Sequence, residues 1–179
     1  MSRLNDNSIS IYEALENIRN GKYVMPAFQR QYVWSMEQVE KLWDSILLDY
    51  PIATFLFWHV DDENVTWDTY FCNFLYDVTF NNRKQADSIN YELTNIDVSM
   101  TDTAVLDGQQ RLTSLFLSLF GEAFIRQKYA RRNNGGGIVT KLLIELNKNK
   151  ITVDEEEYNS KKFDIKFSDK VGKQSPTQF

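Results

Sequence analysis

Between Leu106 and Leu112 the chain runs Asp107-Gly108-Gln109-Gln110-Arg111: an acid, a glycine, two amides and a guanidinium in unbroken succession. These types suit phosphate chemistry. Arginine offers a planar, permanently charged fork matched to phosphate oxygens. Glutamine can orient an attacking water, as at some phosphoryl-transfer sites. An aspartate can hold Mg²⁺, or water bound to it, alongside phosphate oxygens. Glycine lets the backbone approach a neighbour or a ligand closely. Asp107, Gln109, Gln110 and Arg111 are therefore candidate catalytic residues, and Gly108 a candidate nucleotide-binding position. A second Gln-Arg pair lies upstream, in Phe28-Gln29-Arg30-Gln31-Tyr32-Val33-Trp34. Gln29 and Arg30 supply polar heads there, and the rings of Tyr32 and Trp34 could stack on a base. Gln29, Arg30, Tyr32 and Trp34 join Gly108 as the candidate nucleotide-binding set.

The same residues also read without a ligand. Asp107 sits between a strand-like and a helix-like pattern, where it could serve as a helix N-cap with a solvated first turn. The upstream aromatics could be a buried anchor with Arg30 in a structural ion pair. The chain contains neither GxxxxGK[ST] nor GxGxxG, so the usual phosphate loops are absent.

Both motifs need elements to hold them. Ser10 with Glu13, and Ser35 with Gln38, are capping-box signals. They predict helices over about Ile11–Asn20, ending near Gly21, and Met36–Asp49, stopped by Pro51. A short strand is expected at Lys22–Met25 and a buried strand at Ala53–Val60. Thr103–Leu106 reads as a strand leading directly into a helix from Gly108 to about Tyr129, carried by Leu112, Leu115, Phe116 and Leu119. Asp61–Asp102 reads as a β-rich insertion or hairpin, with strand-like pieces at Thr69–Phe80 and Ile89–Leu93. Ile138–Leu146 and Ile151–Val153 could pair as strands. This order implies an α+β domain over residues 1–160, with an insertion over about 61–102. Residues 161–179 read as a polar tail or the start of a further region, as in a piece of a longer protein.

Composition narrows the function. Hydrophobic residues make up 42% of the 179, enough for a core. The net charge of −5 runs against a free-standing nucleic-acid binder, which usually carries a basic surplus. The one basic cluster is Arg126, Lys128, Arg131 and Arg132. A single cysteine, Cys72, and a single histidine, His59, exclude an ordinary structural zinc site and a histidine-rich nuclease centre within these residues. Cys72 reads as a small buried hydrophobe and His59 as a strand-end residue. Asp61–Glu63 and Glu155–Glu157 read as solvated acidic surface. The low cysteine count, a polar N-terminus and no long apolar run point to the cytoplasm and away from a membrane.

Taken together, "MPAFQRQYVWSMEQVEKLWDSI", "YPIATFLFW" and "VLDGQQRLTSL" resemble the N-terminal domain of GmrSD-type modification-dependent restriction enzymes and related phage-defence proteins. That family is related to the ParB/sulfiredoxin superfamily. The resemblance covers about Ile9 to Phe120. It implies a ParB-like fold, a small mixed sheet with flanking helices. It also implies nucleotide binding, and in several members nucleoside-triphosphate hydrolysis dependent on the motif that is Asp107–Arg111 here. Members often carry Pro-Ile-Gly after the second helix, where this chain has Pro51, Ile52 and Ala53. Relatives commonly carry a C-terminal nuclease domain, whose chemistry needs histidines this chain lacks. The leading expectation is a regulatory domain that binds a nucleoside triphosphate, with Mg²⁺ as companion ion. The alternatives are a DNA-sensing module without nucleotide hydrolysis, and a scaffold docking a C-terminal nuclease domain, a partner or a second copy.

Overall fold

The computed structural model describes residues 9–28, 31–59, 70–81, 85–86, 101–126, 137–144, 163 and 165–168. They form an α+β fold, as the sequence implies. Helix α1 (Ile11–Arg19) begins at Ser10, whose hydroxyl accepts the Glu13 N–H, and buries Ala14, Leu15 and Ile18. Gly21 follows with φ of 73°, a conformation that costs a glycine little. Strand β1 (Tyr23–Pro26) comes next. Helix α2 (Met36–Leu47) has the full capping box: Ser35 and Gln38 exchange side-chain and backbone hydrogen bonds.

Strands β2 (Leu56–His59), β3 (Phe71–Cys72) and β6 (Thr103–Asp107) join β1 in a four-stranded sheet of order β2-β6-β1-β3. The central pair β1 and β6 is parallel, with Tyr23 opposite Thr103 and Val24 opposite Ala104. The two outer strands run antiparallel to them. Both sequence motifs therefore leave the sheet at the carboxyl ends of adjacent parallel strands, the usual place for a crevice in such sheets. Helix α3 (Gln109–Leu119) follows β6 directly. Its buried Leu112, Leu115 and Phe116 pack with Leu15 and Ile18 of α1 and Leu42 of α2.

A second sheet has order β5-β4-β7-β8-β9, from β4 (Asp77–Asn81), β5 (Gln85–Ala86), β7 (Glu122–Arg126), β8 (Gly137–Ile144) and β9 (Ile165–Ser168). Val78, Phe80, Ala123 and Phe167 from this sheet meet Met36 and Val39 of α2. Two buried carboxylates on α2 fix β9 in place. Glu40 accepts the Phe167 N–H at 3.1 Å, and Asp44 accepts the Phe163 N–H at 2.8 Å.

Four expectations change. The helix expected to reach Tyr129 stops at Leu119, because Gly121 turns the chain against Tyr76 and Glu122–Arg126 pairs in parallel with β4. The strand expected at Ala53–Val60 is Leu56–His59 and lies at a sheet edge, with Leu56 and Trp58 exposed rather than buried. The stretch expected to be an insertion supplies β3 to one sheet and β4 and β5 to the other. Part of the expected polar tail is β9, whose Ile165 and Phe167 are buried. The strands expected at Ile89–Leu93 and Ile151–Val153 lie outside the described residues.

Candidate functional site

Strand β6 keeps Asp107 extended, opposite Leu56 of β2. The chain then turns at Gly108, where φ is 85°. Gly108, not Asp107, is the N-cap of α3, and no side chain caps the helix. This corrects the expected capping role of Asp107. One extra residue of strand places its carboxylate a step too early, where it is 68% exposed and 3.8 Å from an Arg111 nitrogen. The first N–H bonded within the helix is that of Leu112, to the Gly108 carbonyl at 2.9 Å. The N–H groups of Gln109, Gln110 and Arg111 precede it, so the helix offers them no acceptor. They carry the positive end of the helix dipole.

A cleft of about 230 Å³ opens at this mouth, lined by Trp34, Leu106, Asp107, Gly108, Gln109, Gln110 and Arg111. All five motif residues thus meet one residue of the upstream motif. Gln29 and Arg30 lie outside the described residues. Tyr32 is in the core, 2% exposed, with its hydroxyl 2.8 Å from Ser114 Oγ. Its ring therefore packs with Met36 and Val39 and does not line the cleft.

The motif side chains reach in different directions. Gln109 is buried and donates from Nε2 to the Val105 carbonyl at 2.6 Å. This bond fixes the amide and leaves Oε1 without a partner among the described residues. Gln110 uses both ends of its amide on the β1–α2 connection. Its Oε1 accepts the Val33 N–H at 3.0 Å, and its Nε2 donates to the Gln31 carbonyl at 3.2 Å. Arg111 donates from Nη1 to the Ile52 carbonyl and from Nη2 to the Thr54 carbonyl at 2.8 Å. Its guanidinium lies 4.6 Å from the centre of the Phe55 ring, a cation–π contact. The Phe55 ring in turn occupies the space beside Gly108, where an added Cβ would sit 2.3 Å from its Cδ1.

Phe55, Ser114 and the carbonyls of Ile52 and Thr54 carry no direct sign in the sequence of their place in this arrangement. Gly108 was the available hint, since a glycine on the apolar side of a helix marks a close approach. The neighbour that approaches is Phe55.

Away from the cleft, His59 ends β2 with Nδ1 3.2 Å from the Thr103 hydroxyl and 3.9 Å from Asp102. Cys72 is buried, and burial pushes its thiol up to about 11. No group of three or more His, Cys, Asp or Glu residues could hold a metal among the described residues. A companion Mg²⁺ fits only the smaller demand of one exposed carboxylate plus ligand phosphates, which Asp107 can meet. Lys128, Arg131, Arg132, Asp61–Glu63 and Glu155–Glu157 lie outside the described residues. No helix among the described residues is long and apolar enough to cross a membrane.

The chain is 30% identical over 121 residues to an uncharacterized protein of Methanocaldococcus jannaschii, covering 68% of this chain and 18% of that protein. It therefore spans under a fifth of the length of the curated relative it matches. The family model described as the GmrSD restriction endonuclease, N-terminal domain, matches residues 11–178. That match takes in both sheets and every helix described above, and the chain belongs to the family of GmrSD restriction endonuclease N-terminal domains.

Proposed function

We propose that this domain binds a nucleoside triphosphate, with the phosphates at the mouth of α3, and hydrolyses it as the regulatory part of a DNA-restriction or phage-defence protein. The observation that carries the reading is a helix mouth without a side-chain cap, open to a cleft lined by the whole Asp107–Arg111 motif. Unpaired N–H groups and the helix dipole favour an anion there, and phosphate in particular. The cleft is smaller than a typical drug-sized pocket, so it suits the phosphates, with the rest of the nucleotide beyond them.

Each motif residue takes a role from its surroundings. Gln109 is the stronger candidate for orienting a water, because its amide is anchored at one end and has an oxygen to offer at the other. Gln110 is occupied at both ends. Arg111 contributes its charge behind the mouth and keeps N–H donors beyond those bound to carbonyls. Mg²⁺ arriving with the nucleotide would meet Asp107 and would neutralise phosphate charge. DNA, a C-terminal nuclease domain and a second copy belong to the full-length protein's account.

Calorimetry with ATP and GTP tests this. Binding in the presence of Mg²⁺, weakened by Asp107→Asn, is expected. Without Mg²⁺ the same substitution should strengthen binding, since it removes a negative charge beside the phosphates. Phosphate release by the wild type then reports hydrolysis. Absence of binding under both conditions would refute the reading.

A further inference from the structure

Two residues one turn apart on α3 grip the segment that leads into Trp34. Gln110 holds the Val33 N–H and the Gln31 carbonyl. Ser114 stands four residues on, on the same helix face, and its Oγ lies 2.8 Å from the Tyr32 hydroxyl. Ser114 Oγ also donates to the Gln110 carbonyl at 2.7 Å, so the Tyr32 hydroxyl is the donor to Ser114. Ser114 is fully buried and Tyr32 nearly so. Three successive residues, Gln31, Tyr32 and Val33, are thus tied to one strip of α3. The next residue, Trp34, lines the cleft.

We propose that Gln110 and Ser114 are positioning residues that clamp Gln31–Val33 to α3 and so set Trp34 as the wall of the cleft. This rests on the nucleotide reading and deepens it. It moves Gln110 from the reacting groups to the scaffold, and it gives Ser114 a part in ligand binding without contact with the ligand. The bonds explain why a solvated first turn is the wrong description of Gln110. A surface glutamine would leave its amide to water, whereas this one replaces a backbone partner at each end. They also explain a polar pair inside an apolar cluster. Tyr32 packs with Met36 and Val39, and its hydroxyl needs a buried acceptor there.

The clamp can be read without any ligand. In nucleotide-free protein, Gln110→Ala should speed amide exchange at Val33 by about tenfold or more, while amides in β7 and β8 stay as they were. Gln110→Glu, which keeps an acceptor for Val33 but loses the donor for Gln31, should fall between. Unchanged exchange at Val33 in Gln110→Ala would overturn the clamp. For the site, ATP with Mg²⁺ is the probe. Ser114→Ala removes the bond between the Tyr32 hydroxyl and Ser114 Oγ and should weaken ATP binding about tenfold. Tyr32→Phe combined with Ser114→Ala removes both polar partners and should recover most of that loss. Equal ATP affinity in wild type, Ser114→Ala and Gln110→Ala would overturn the positioning role. If wild type binds no ATP while Val33 protection still depends on Gln110, the nucleotide reading fails and the loop contact alone stands.

Discussion

The ring of Phe55 fills the space that a side chain on Gly108 would need. An added Cβ at Gly108 would lie 2.3 Å from Phe55 Cδ1 and 2.9 Å from Cε1. The same ring receives the Arg111 guanidinium. Helix mouth, edge-strand approach and motif arginine are therefore one packed unit.

Gly108→Ala should destabilise the fold by about 2–4 kcal/mol, combining left-handed backbone strain with overpacking. Urea unfolding measures it. In a cycle with Phe55→Ala, part of the cost should disappear because the clash is relieved, while the strain from φ of 85° remains. A fully additive cycle would count against the contact.

Ala53→Gly should have the opposite sign. Ala53 has φ of 66°, which an alanine adopts at a cost and a glycine does not. The substitution should stabilise by about 1 kcal/mol, seen as a higher urea midpoint with unchanged slope. Its flanking carbonyls, those of Ile52 and Thr54, are the ones Arg111 binds. The chain accepts backbone strain where that clamp closes.

How far these arrangements could be read from sequence depends on what fixed them. Helix starts at Ser10 and Ser35 were legible because capping is local: each serine hydroxyl accepts the N–H three residues on, and at Ser35 the Gln38 side chain completes the box. The strand-to-helix junction at Asp107–Gly108 was legible too, with the cap displaced by one residue. The end of α3 was not, since Ala123, Phe124 and Ile125 fit a helix or a strand, and pairing with β4 and β8 decided between them. The exposure of Leu56 and Trp58 was hidden for a similar reason: an apolar run does not say whether its sheet continues beyond it. At the site, the polar surplus of Gln109, Gln110 and Arg111 marked the place. Gln110 and Arg111 bind backbone groups of distant segments, and Gln109 binds the Val105 carbonyl of the preceding strand; backbone targets carry no residue-type signal.

Cys72 gives stability a dependence on alkaline pH. Its ordinary value of 9.0 rises to about 11 in the fold because burial disfavours the thiolate. A raised folded value means that the folded state holds the proton more tightly. The contribution is therefore fully present below pH 9 and is lost as pH rises from 9 through about 11. Its size is about 2–3 kcal/mol. Unfolding free energies measured across that window should fall with pH in the wild type and fall less in Cys72→Ala. Parallel profiles would contradict the assignment.

In the proposed function, a triphosphate sits on the N–H groups at the start of α3. The most direct measurement is a titration of the ¹⁵N-labelled protein with ATP and Mg²⁺, followed through the backbone amides. Saturable shifts are expected at Gln109, Gln110 and Arg111, with the Trp34 indole responding at the same midpoint. Saturable binding that leaves those amides unmoved, or no binding, would contradict it.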